Sequence, residues 1–483
     1  MCPLAMSQNP DVAPNFLFIA IDDLNDWIGV LHGHPQVRTP NIDKLAERGF
    51  LFSNAHTQAP LCNPSRTSVL TGLRPESTGI YGLAPRYRSL ESMNHVVSLP
   101  QYLSQHDYHT ISGGKILHGG ITPEERANDF EEWGPDGGFG PYPEEKIVRK
   151  KLDMIDHPLV DWGPFPRDSD TSILDYKLAT WASDRLFKLS REEREQPFFL
   201  AVGFHKPHVP LYVSERWFDL YPGDAIVLPP APDYDRMDVP DFAWYLHWFL
   251  PEPRLSWLIN NNEWVAKVRA YLACISFVDA QVGRVLDALE ESGLADHTIV
   301  ILWSDHGYHL GEKGVTGKNT LWEPSTHVPL IFSGPGIPAG ESSGEAVELL
   351  DMFPTILDLA GIQTISQLQG VSLKPFFDNP EYERDIPAIT THNPGNHSIR
   401  NSKWRYISYA DGSEELYDMQ RDPYEWKNLA DVVEYDSIRN EMKKWVPSRS
   451  ESLAPGSRHR TLEKRGEDWF WENEIIDFGM LID

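Results

Sequence analysis

The chain has 483 residues, of which 41% are hydrophobic, and this is enough for one large α/β domain with a smaller second domain. The formal net charge of −28 leaves no basic field for nucleic acid, and an anionic ligand would need a local positive pocket. The three cysteines are too few for a disulfide framework, and no apolar run is long enough to span a membrane.

The first predicted element is a buried strand near the start of the chain. Residues 15–21, Asn-Phe-Leu-Phe-Ile-Ala-Ile, are almost wholly apolar, which is typical of a strand buried in a parallel sheet. Asp22 and Asp23 follow at the carboxyl end of this strand. Adjacent carboxylates repel each other unless a cation lies between them, so this pair is a candidate metal site. A solvated acidic loop is the alternative interpretation.

A short segment around Cys62 is the next candidate for chemistry. Residues 62–66 are Cys-Asn-Pro-Ser-Arg, and Leu-Thr-Gly follows at 70–72. Proline fits the first turn of a helix, so we expect Cys62 just ahead of a helix N-terminus, where free N–H groups favour negative charge. Arg66 adds a permanent cation one turn later. A buried cysteine that only packs in the core is the alternative.

Two further predicted strands end in groups that can bind an anion or move a proton. The strand that begins at 109 closes on Gly-Gly-Lys-Ile-Leu-His, where a bend would aim Lys115 and His118 at one point. The apolar strand at 197–204 is followed by a histidine-rich segment that contains His208. Taken alone, Lys115 and His118 are as well explained as ordinary surface residues, and the alternative for His208 is a structural residue before Pro210.

The last of these strands, at 297–303, is followed by Asp305 and His306, and a glycine-rich loop then carries Lys318. Strands of one parallel sheet deliver their carboxyl ends to the same edge, where ligands bind in open α/β sheets. We therefore expect the polar groups after these strands to converge. Carboxylate oxygens suit a hard cation such as Ca²⁺ or Mg²⁺.

Helices are predicted between the strands, and the character of the sequence changes near residue 370. Apolar periodicity or helix-end signals predict helices at 39–50, 97–105, 171–192, 264–293 and 349–360. Beyond 370, short alternating strands at 399–409 and 415–418 favour a small antiparallel sheet. We therefore predict a main N-terminal domain at 1–370 and a C-terminal subdomain at 371–483.

Together these motifs resemble those of the type I sulfatases, from Asn15 to about Leu429. The shared pattern comprises Asp-Asp, Cys-x-Pro-Ser-Arg, Gly-Lys-x-x-His, Pro-His-x-Pro, Asp-His-Gly and a C-terminal Leu-Tyr-Asp…Asp-Pro…Asn-Leu. Within that family the chain looks most like the iduronate-2-sulfatase group and bacterial carbohydrate sulfatases. The resemblance implies an alkaline-phosphatase-like α/β sandwich with a central, mostly parallel sheet, and a smaller C-terminal α+β subdomain with an antiparallel sheet.

The resemblance also implies roles for individual residues. In this family a maturation enzyme oxidises the cysteine to formylglycine, and the aldehyde hydrate is the nucleophile. The implied ligands of Ca²⁺, with Mg²⁺ less favoured, are Asp22, Asp23, residue Cys62 in its modified form, Asp305 and His306. Imidazole is a poorer Ca²⁺ ligand than an amide oxygen, so His306 is the weakest member of this set.

The implied catalytic set is Cys62, Arg66, Lys115, His118, His208 and Lys318. Arg66 and Lys115 would hold the hydrate, and His118 would help to re-form the aldehyde. Lys318 and His208 would contact the sulfate ester, and one of the two would protonate the leaving oxygen.

The implied activity is hydrolysis of a sulfate ester on a carbohydrate, including uronate-containing chains. The tryptophans at 217, 244, 248 and 257 are candidates for stacking on sugar rings, with core packing as the alternative. Two other functions stay open: a phosphonate or phosphate monoester hydrolase of the same superfamily, and a non-catalytic glycan-binding protein with unmodified Cys62. We expect a periplasmic or secreted bacterial protein, although no signal peptide is visible, and neither a nucleic-acid partner nor membrane insertion.

Overall fold

The computed structural model describes residues 13–148, 157–193 and 196–477, so Cys2 and the segment in which a signal peptide was sought lie outside the described residues. Its centre is a sheet that has eight strands among the described residues. From edge to edge these strands are Glu341–Ser343, Phe50–Phe52, Leu330–Ser333, Thr298–Ser304, Asn15–Ile21, Phe198–Phe204, His109–Gly114 and Glu132–Trp133.

The sheet is mostly parallel, as predicted. The central strand Asn15–Ile21 pairs in parallel with Phe198–Phe204 on one side and with Thr298–Ser304 on the other. The strand His109–Gly114 continues the parallel set, whereas Leu330–Ser333 runs antiparallel to both of its neighbours. The carboxyl ends of these four parallel strands therefore lie at one edge of the sheet, as does that of Glu132–Trp133, which pairs in parallel with His109–Gly114.

Both faces of the sheet are covered by helices, because the central strand is apolar on both sides. Leu17, Ile19 and Ile21 belong to one hydrophobic core, and Phe16 and Phe18 belong to the other. The first core is covered by the helices Pro40–Glu47, Leu174–Leu189 and Trp264–Glu291. The second is covered by Cys62–Thr71, Leu99–Ser104 and Met352–Leu359. The result is an α/β/α sandwich.

Shorter elements connect these layers. The shorter helices of this part are Pro75–Thr78, Pro123–Asp129, Glu215–Phe218, Leu255–Asn260, Glu323–Thr326 and Lys374–Asp378. The remaining strands here are Ala55–His56, Trp162–Phe165, Leu211–Ser214, His309–Leu310, Thr316–Gly317, His327–Val328 and Val347–Glu348. In the described part of the chain, no helix has both the length and the apolar character needed to cross a bilayer.

The C-terminal region contains the predicted antiparallel sheet. Its strands are Ala388–Thr391, His397–Arg400, Trp404–Ser408 and Glu414–Asp418. The helix Asp436–Lys443 and a second small sheet of Leu462–Arg465, Asp468–Trp471 and Glu474–Ile475 follow. The Thr391 N–H donates to the Gln58 carbonyl at 2.8 Å, which ties this region to the segment before Cys62. The domain boundary at residue 370 stays a prediction.

Candidate active site

The polar groups that follow the central strands do converge at one edge of the sheet. Asp22 and Asp23 leave the first strand, and Asp305 leaves Thr298–Ser304; all three are fully buried. The Asp23 N–H donates to Asp305 Oδ1 at 3.1 Å, which joins the two strand ends directly. Asp23 has a φ of 60°, and its carbonyl accepts a 2.6 Å hydrogen bond from the Tyr271 hydroxyl. The backbone turn that aims these carboxylates is therefore fixed by the core.

Cys62 lies opposite these carboxylates. It is the first residue of the helix Cys62–Thr71, not the residue ahead of it as predicted, because Leu61 is extended and takes the N-cap position. The Cys62 side chain is almost fully buried. Its Sγ lies 3.2 Å from both Lys318 Nζ and His306 Nε2, and 3.7 Å from Lys115 Nζ. Residue 62 therefore lies in a pocket of cationic groups.

Arg66 lies one turn further along the same helix and bridges two of the carboxylates. Its Nε donates to Asp305 Oδ2 at 2.8 Å, and its Nη2 donates to Asp22 Oδ1 at 3.0 Å. The guanidinium also lies over the Trp303 ring, 5.8 Å from the centroid. A planar, permanently charged group suits this fixed double contact. Arg66 thus holds the helix start and the two strand ends together.

The two lysines neutralise the remaining carboxylate charge. Lys115 Nζ donates to Asp22 Oδ2 in a close ion pair, and Lys318 Nζ donates to Asp23 Oδ1 at 2.7 Å. The site thus pairs three carboxylates with three permanent cations, all nearly removed from water. Buried charges persist only when they are paired in this way.

The electrostatic field favours a negative charge at residue 62. Burial by itself would raise the pKa of the Cys62 thiol, but Lys115, Lys318 and His306 together lower it well below its usual value. For Asp22 too, burial acts to raise the pKa, but Lys115, His208 and Arg66 hold it far below its normal range. Burial raises the pKa of Asp305 to about 6, even though Arg66 acts against it.

The residues present fit a divalent cation. Asp23 Oδ2 is buried and has no hydrogen-bond partner among the described residues, although the N–H, the carbonyl and Oδ1 of Asp23 are all hydrogen-bonded. Ligand atoms of Asp22, Asp23, Cys62 and His208 lie within 4.8 Å of one another, as do those of Cys62, Asp305 and His306. An orphaned carboxylate oxygen among hard oxygen donors is the situation in which Ca²⁺ or Mg²⁺ binds.

Both further predicted catalytic histidines lie beside residue 62. They line a cavity of about 490 Å³ that also contains Cys62, Lys115 and Lys318. His208 Nε2 is 3.9 Å from Asp23 Oδ2. Burial lowers the pKa of His118, and within the described part of the chain its buried Nδ1 has no hydrogen-bond partner. The structure thus brings every predicted site residue together, while the role of each residue stays a prediction.

The comparisons with known proteins agree with this geometry. A family model described as "Sulfatase" matches residues 14–362, which is most of the chain. This chain belongs to the sulfatase family. A second model, for the C-terminal part of N-sulphoglucosamine sulphohydrolase, matches residues 311–451. The sulfatase fold and the enzyme class predicted from the sequence are therefore confirmed.

Alignments with individual relatives extend over most of this sulfatase and most of each relative. A protein named sulfatase from Formosa agariphila is 42% identical over 446 residues, which cover 90% of this chain and 86% of the relative. Human iduronate 2-sulfatase is 30% identical, with 95% of this chain and 85% of the relative covered. The solved structure of a 2-O GAG sulfatase superposes with a TM-score of 0.68 at 25% identity, covering 89% of this chain and 90% of that one.

The structure adds cavity residues that sequence reasoning missed. Glu252, from the long proline-rich loop, and Arg460, from the C-terminal region, line the cavity of the sulfatase together with Phe139. Burial acts to raise the pKa of Glu252, but Arg460, Lys267 and Lys318 lower it, so this carboxylate is charged. No sequence motif marks either residue, and only the flanking Pro251 and Pro253 signal an unusual loop.

The predicted sugar-stacking tryptophans separate into two groups. Trp217 packs edge-on against Phe277, Trp244 is buried, and Trp257 packs against the main core. For these three, the core-packing alternative is correct. Of the four, only Trp248 lines one of the cavities described here.

Proposed function

We propose that this sulfatase hydrolyses a sulfate ester on a carbohydrate, with a formylglycine hydrate formed from Cys62 as the nucleophile and a bound divalent cation, Ca²⁺ ahead of Mg²⁺. The observation that carries the proposal is the position of Cys62 Sγ. It lies 3.2 Å from Lys318 Nζ and 3.9 Å from Asp23 Oδ1. The other oxygen of Asp23, Oδ2, has no hydrogen-bond partner among the described residues. A simple packing cysteine would not lie among four buried ion pairs.

The proposal needs a modified residue because a thiol offers no route for release of the sulfate. A hydrated aldehyde would supply one hydroxyl to attack sulfur and a second hydroxyl whose deprotonation expels the sulfate. A formylglycine-generating enzyme is therefore a proposed partner. The proposed metal ligands are Asp22, Asp23, residue 62, Asp305 and His306, and the cation would lower the pKa of the hydrate and draw charge from the sulfate oxygens.

This chain's own residues have separate tasks in the proposal. Arg66 holds Asp22 and Asp305 in place, while Lys115, 3.7 Å from Sγ, orients the oxygens of residue 62. His118, whose Nδ1 lacks a partner, takes the proton when the aldehyde re-forms. Lys318 stabilises the charge that develops on the sulfate.

His208 is the proposed proton donor to the leaving oxygen. Its Nδ1 lies 2.6 Å from the Val209 carbonyl, which assigns the proton of a neutral ring to that atom, so donation from Nε2 requires the imidazolium. Nε2 faces the site and lies 3.9 Å from Asp23 Oδ2. A sugar alkoxide is a poor leaving group, so this proton matters for a carbohydrate ester.

A carbohydrate substrate is supported by the size of the cavity and by its charges. About 490 Å³ is in the range of small-molecule sites, and the charged side chains of Glu252 and Arg460 also line this cavity. The overall charge of −28 disfavours an anionic ligand, and the cations around residue 62 provide the local positive pocket that the sequence required. A periplasmic or secreted location is part of the proposal and rests on the family resemblance.

The test is a substrate panel with enzyme produced alongside a formylglycine-generating enzyme. The panel contains sulfated oligosaccharides, 4-nitrophenyl sulfate, choline sulfate and an aryl phosphonate ester. We expect the highest kcat/KM for a sulfated oligosaccharide. Equal or better activity on choline sulfate would contradict the carbohydrate assignment, and preference for the phosphonate ester would contradict the sulfatase reaction itself.

A further inference from the structure

A second cavity adjoins the catalytic one. Its volume is about 680 Å³, which is also within the range of ligand sites. The two cavities have four lining residues in common, which are Leu83, His157, Pro251 and Arg460. Because these residues line both cavities, the two cavities adjoin each other at Arg460.

The second cavity has aromatic walls. Trp248 and Trp471 line it, together with Phe249 and Ile475, whose side chains are 44% and 56% exposed. Large exposed apolar side chains grouped around a concavity indicate a binding surface. Flat aromatic rings with polar groups at the rim suit the C–H faces of a sugar ring.

The charges of the two cavities are opposite in sign. The catalytic cavity is lined by more basic than acidic side chains, which are Lys115, Arg126, Lys318 and Arg460 against Asp136 and Glu252. Three carboxylates line the second cavity, from Glu472, Glu474 and Asp477. Arg460, where the two cavities adjoin, is the permanent cation that lines the second cavity, and its Nη1 lies 3.7 Å from Glu472 Oε1. Burial lowers the pKa of His157, so that ring adds no charge near neutral pH.

We propose that the second cavity binds an uncharged sugar next to the sulfated one, so that the enzyme acts on chains whose neighbouring residue carries neither sulfate nor carboxylate. This rests on the proposed function, because it extends the same substrate. Hydroxyl groups donate to the carboxylate of Glu474, and the ring lies on Trp248 and Phe249. An anionic neighbour meets a field of its own sign and is rejected.

The first test compares three disaccharides that share one sulfated sugar and differ only in the second sugar, which is neutral, uronic or sulfated. We expect the neutral form to have a kcat/KM at least about tenfold above the other two, since a like-charge contact costs on the order of 1.4 kcal/mol or more. Equal values for the three disaccharides would overturn the proposal.

Variants of the aromatic wall locate the subsite. Trp248→Ala and Phe249→Ala should each lower kcat/KM for the neutral disaccharide several-fold and leave 4-nitrophenyl sulfate unchanged, since this small substrate does not reach the second cavity. Trp445→Ala is the matched control, because Trp445 is 37% exposed and lines neither cavity. Unchanged disaccharide kinetics in both variants would overturn the proposal.

A charge reversal tests the selectivity. Glu474→Lys should invert the preference toward the anionic neighbours, whereas Glu467→Lys, at the turn of the same small sheet, should leave it unchanged. Affinities measured by calorimetry in the inactive Cys62→Ala background should follow the same order. If the Glu474→Lys variant shows the same preference among the three disaccharides as the wild-type enzyme, the acidic side chains of the second cavity do not set the selectivity. If the wild-type enzyme releases sulfate from none of the substrates, 4-nitrophenyl sulfate included, the proposed function itself is overturned.

Discussion

The ammonium group of Lys318 lies 3.2 Å from the Sγ of Cys62, although the two residues are 256 positions apart in the chain. The same Nζ donates to Asp23 Oδ1 at 2.7 Å, so one cation joins the proposed nucleophile to a proposed metal ligand. Lys318 therefore brings together Cys62 and Asp23, which come from distant segments of the chain.

His208→Ala should separate two classes of substrate. If His208 protonates the leaving oxygen, its loss should lower kcat/KM for a sugar sulfate by about 10²–10⁴-fold and barely affect 4-nitrophenyl sulfate, whose phenolate leaves readily. Lys318→Ala should lower both rates, because its charge stabilises the sulfate itself. Steady-state kinetics with both substrates in both variants make the measurement. Equal losses on the two substrates in His208→Ala would leave this residue only a binding or structural role.

Asp23→Asn should lose the divalent cation. Asp23 Oδ2 accepts no hydrogen bond from the described residues, so replacing this oxygen removes a proposed ligand without breaking a hydrogen bond to that atom. We expect metal analysis of the purified wild-type protein to find about one Ca²⁺ per chain, and the variant to bind far less. Asp296→Asn, at an exposed position, is the control. Full activity of protein stripped of divalent ions would contradict the metal requirement.

Arg66→Ala should destabilise the fold as well as the site. It would leave the buried carboxylates of Asp22 and Asp305 without their shared guanidinium, which typically costs about 3–5 kcal/mol. Arg421→Ala, where the side chain is 79% exposed, should change the free energy of unfolding very little. Denaturant unfolding of the two variants provides the comparison. A similarly small decrease in the free energy of unfolding of both variants would mean that the buried network contributes little stability.

Lys267 should give the stability of the enzyme a measurable pH dependence. Burial lowers the pKa of Lys267 to about 7, and its Nζ donates to Thr316 Oγ1 at 2.9 Å. Between pH 7 and about 10.5 the unfolded chain binds this proton and the folded chain does not, so this group makes stability rise with pH over that window. Below pH 7 both states are protonated, and the buried charge costs about 5 kcal/mol.

Lys267→Met should therefore be more stable than wild type at pH 6, and the difference should shrink as the pH approaches 10. Unfolding free energies at several pH values measure this difference directly. Lys464→Met, at an exposed position, controls for the loss of one positive charge. A difference that stays constant from pH 6 to 10 would mean that Lys267 keeps its ordinary pKa in the fold.

Much of the site could be predicted because its residues follow buried strands. Asp22, Asp305 and His208 each come just after an apolar run, and the parallel sheet brings such positions together. The alternating pattern of the segments beyond residue 370 predicted the antiparallel C-terminal sheet. Cys62 was misplaced by one residue, because the extended conformation of Leu61 is not visible in the sequence.

The part of the cavity lined by Glu252 and Arg460 could not be predicted, because tertiary contacts fix the positions of these residues. Arg460 has a φ of 67°, and its N–H donates to Glu472 Oε1 at 2.7 Å, so its position depends on a neighbouring strand end. Glu252 lies in a loop with no periodicity that would place it. The proposed substrate selectivity therefore depends on the folded structure, whereas the sequence motifs already indicate the proposed catalytic chemistry.

The most direct test of the central claim is the mass of the peptide that contains Cys62, measured across preparations of different specific activity. We predict a mass in which oxygen has replaced sulfur and two hydrogens have been lost, and an activity that rises in proportion to the fraction of this form and extrapolates to zero without it. Full sulfate release by protein whose Cys62 is wholly unmodified would contradict the account.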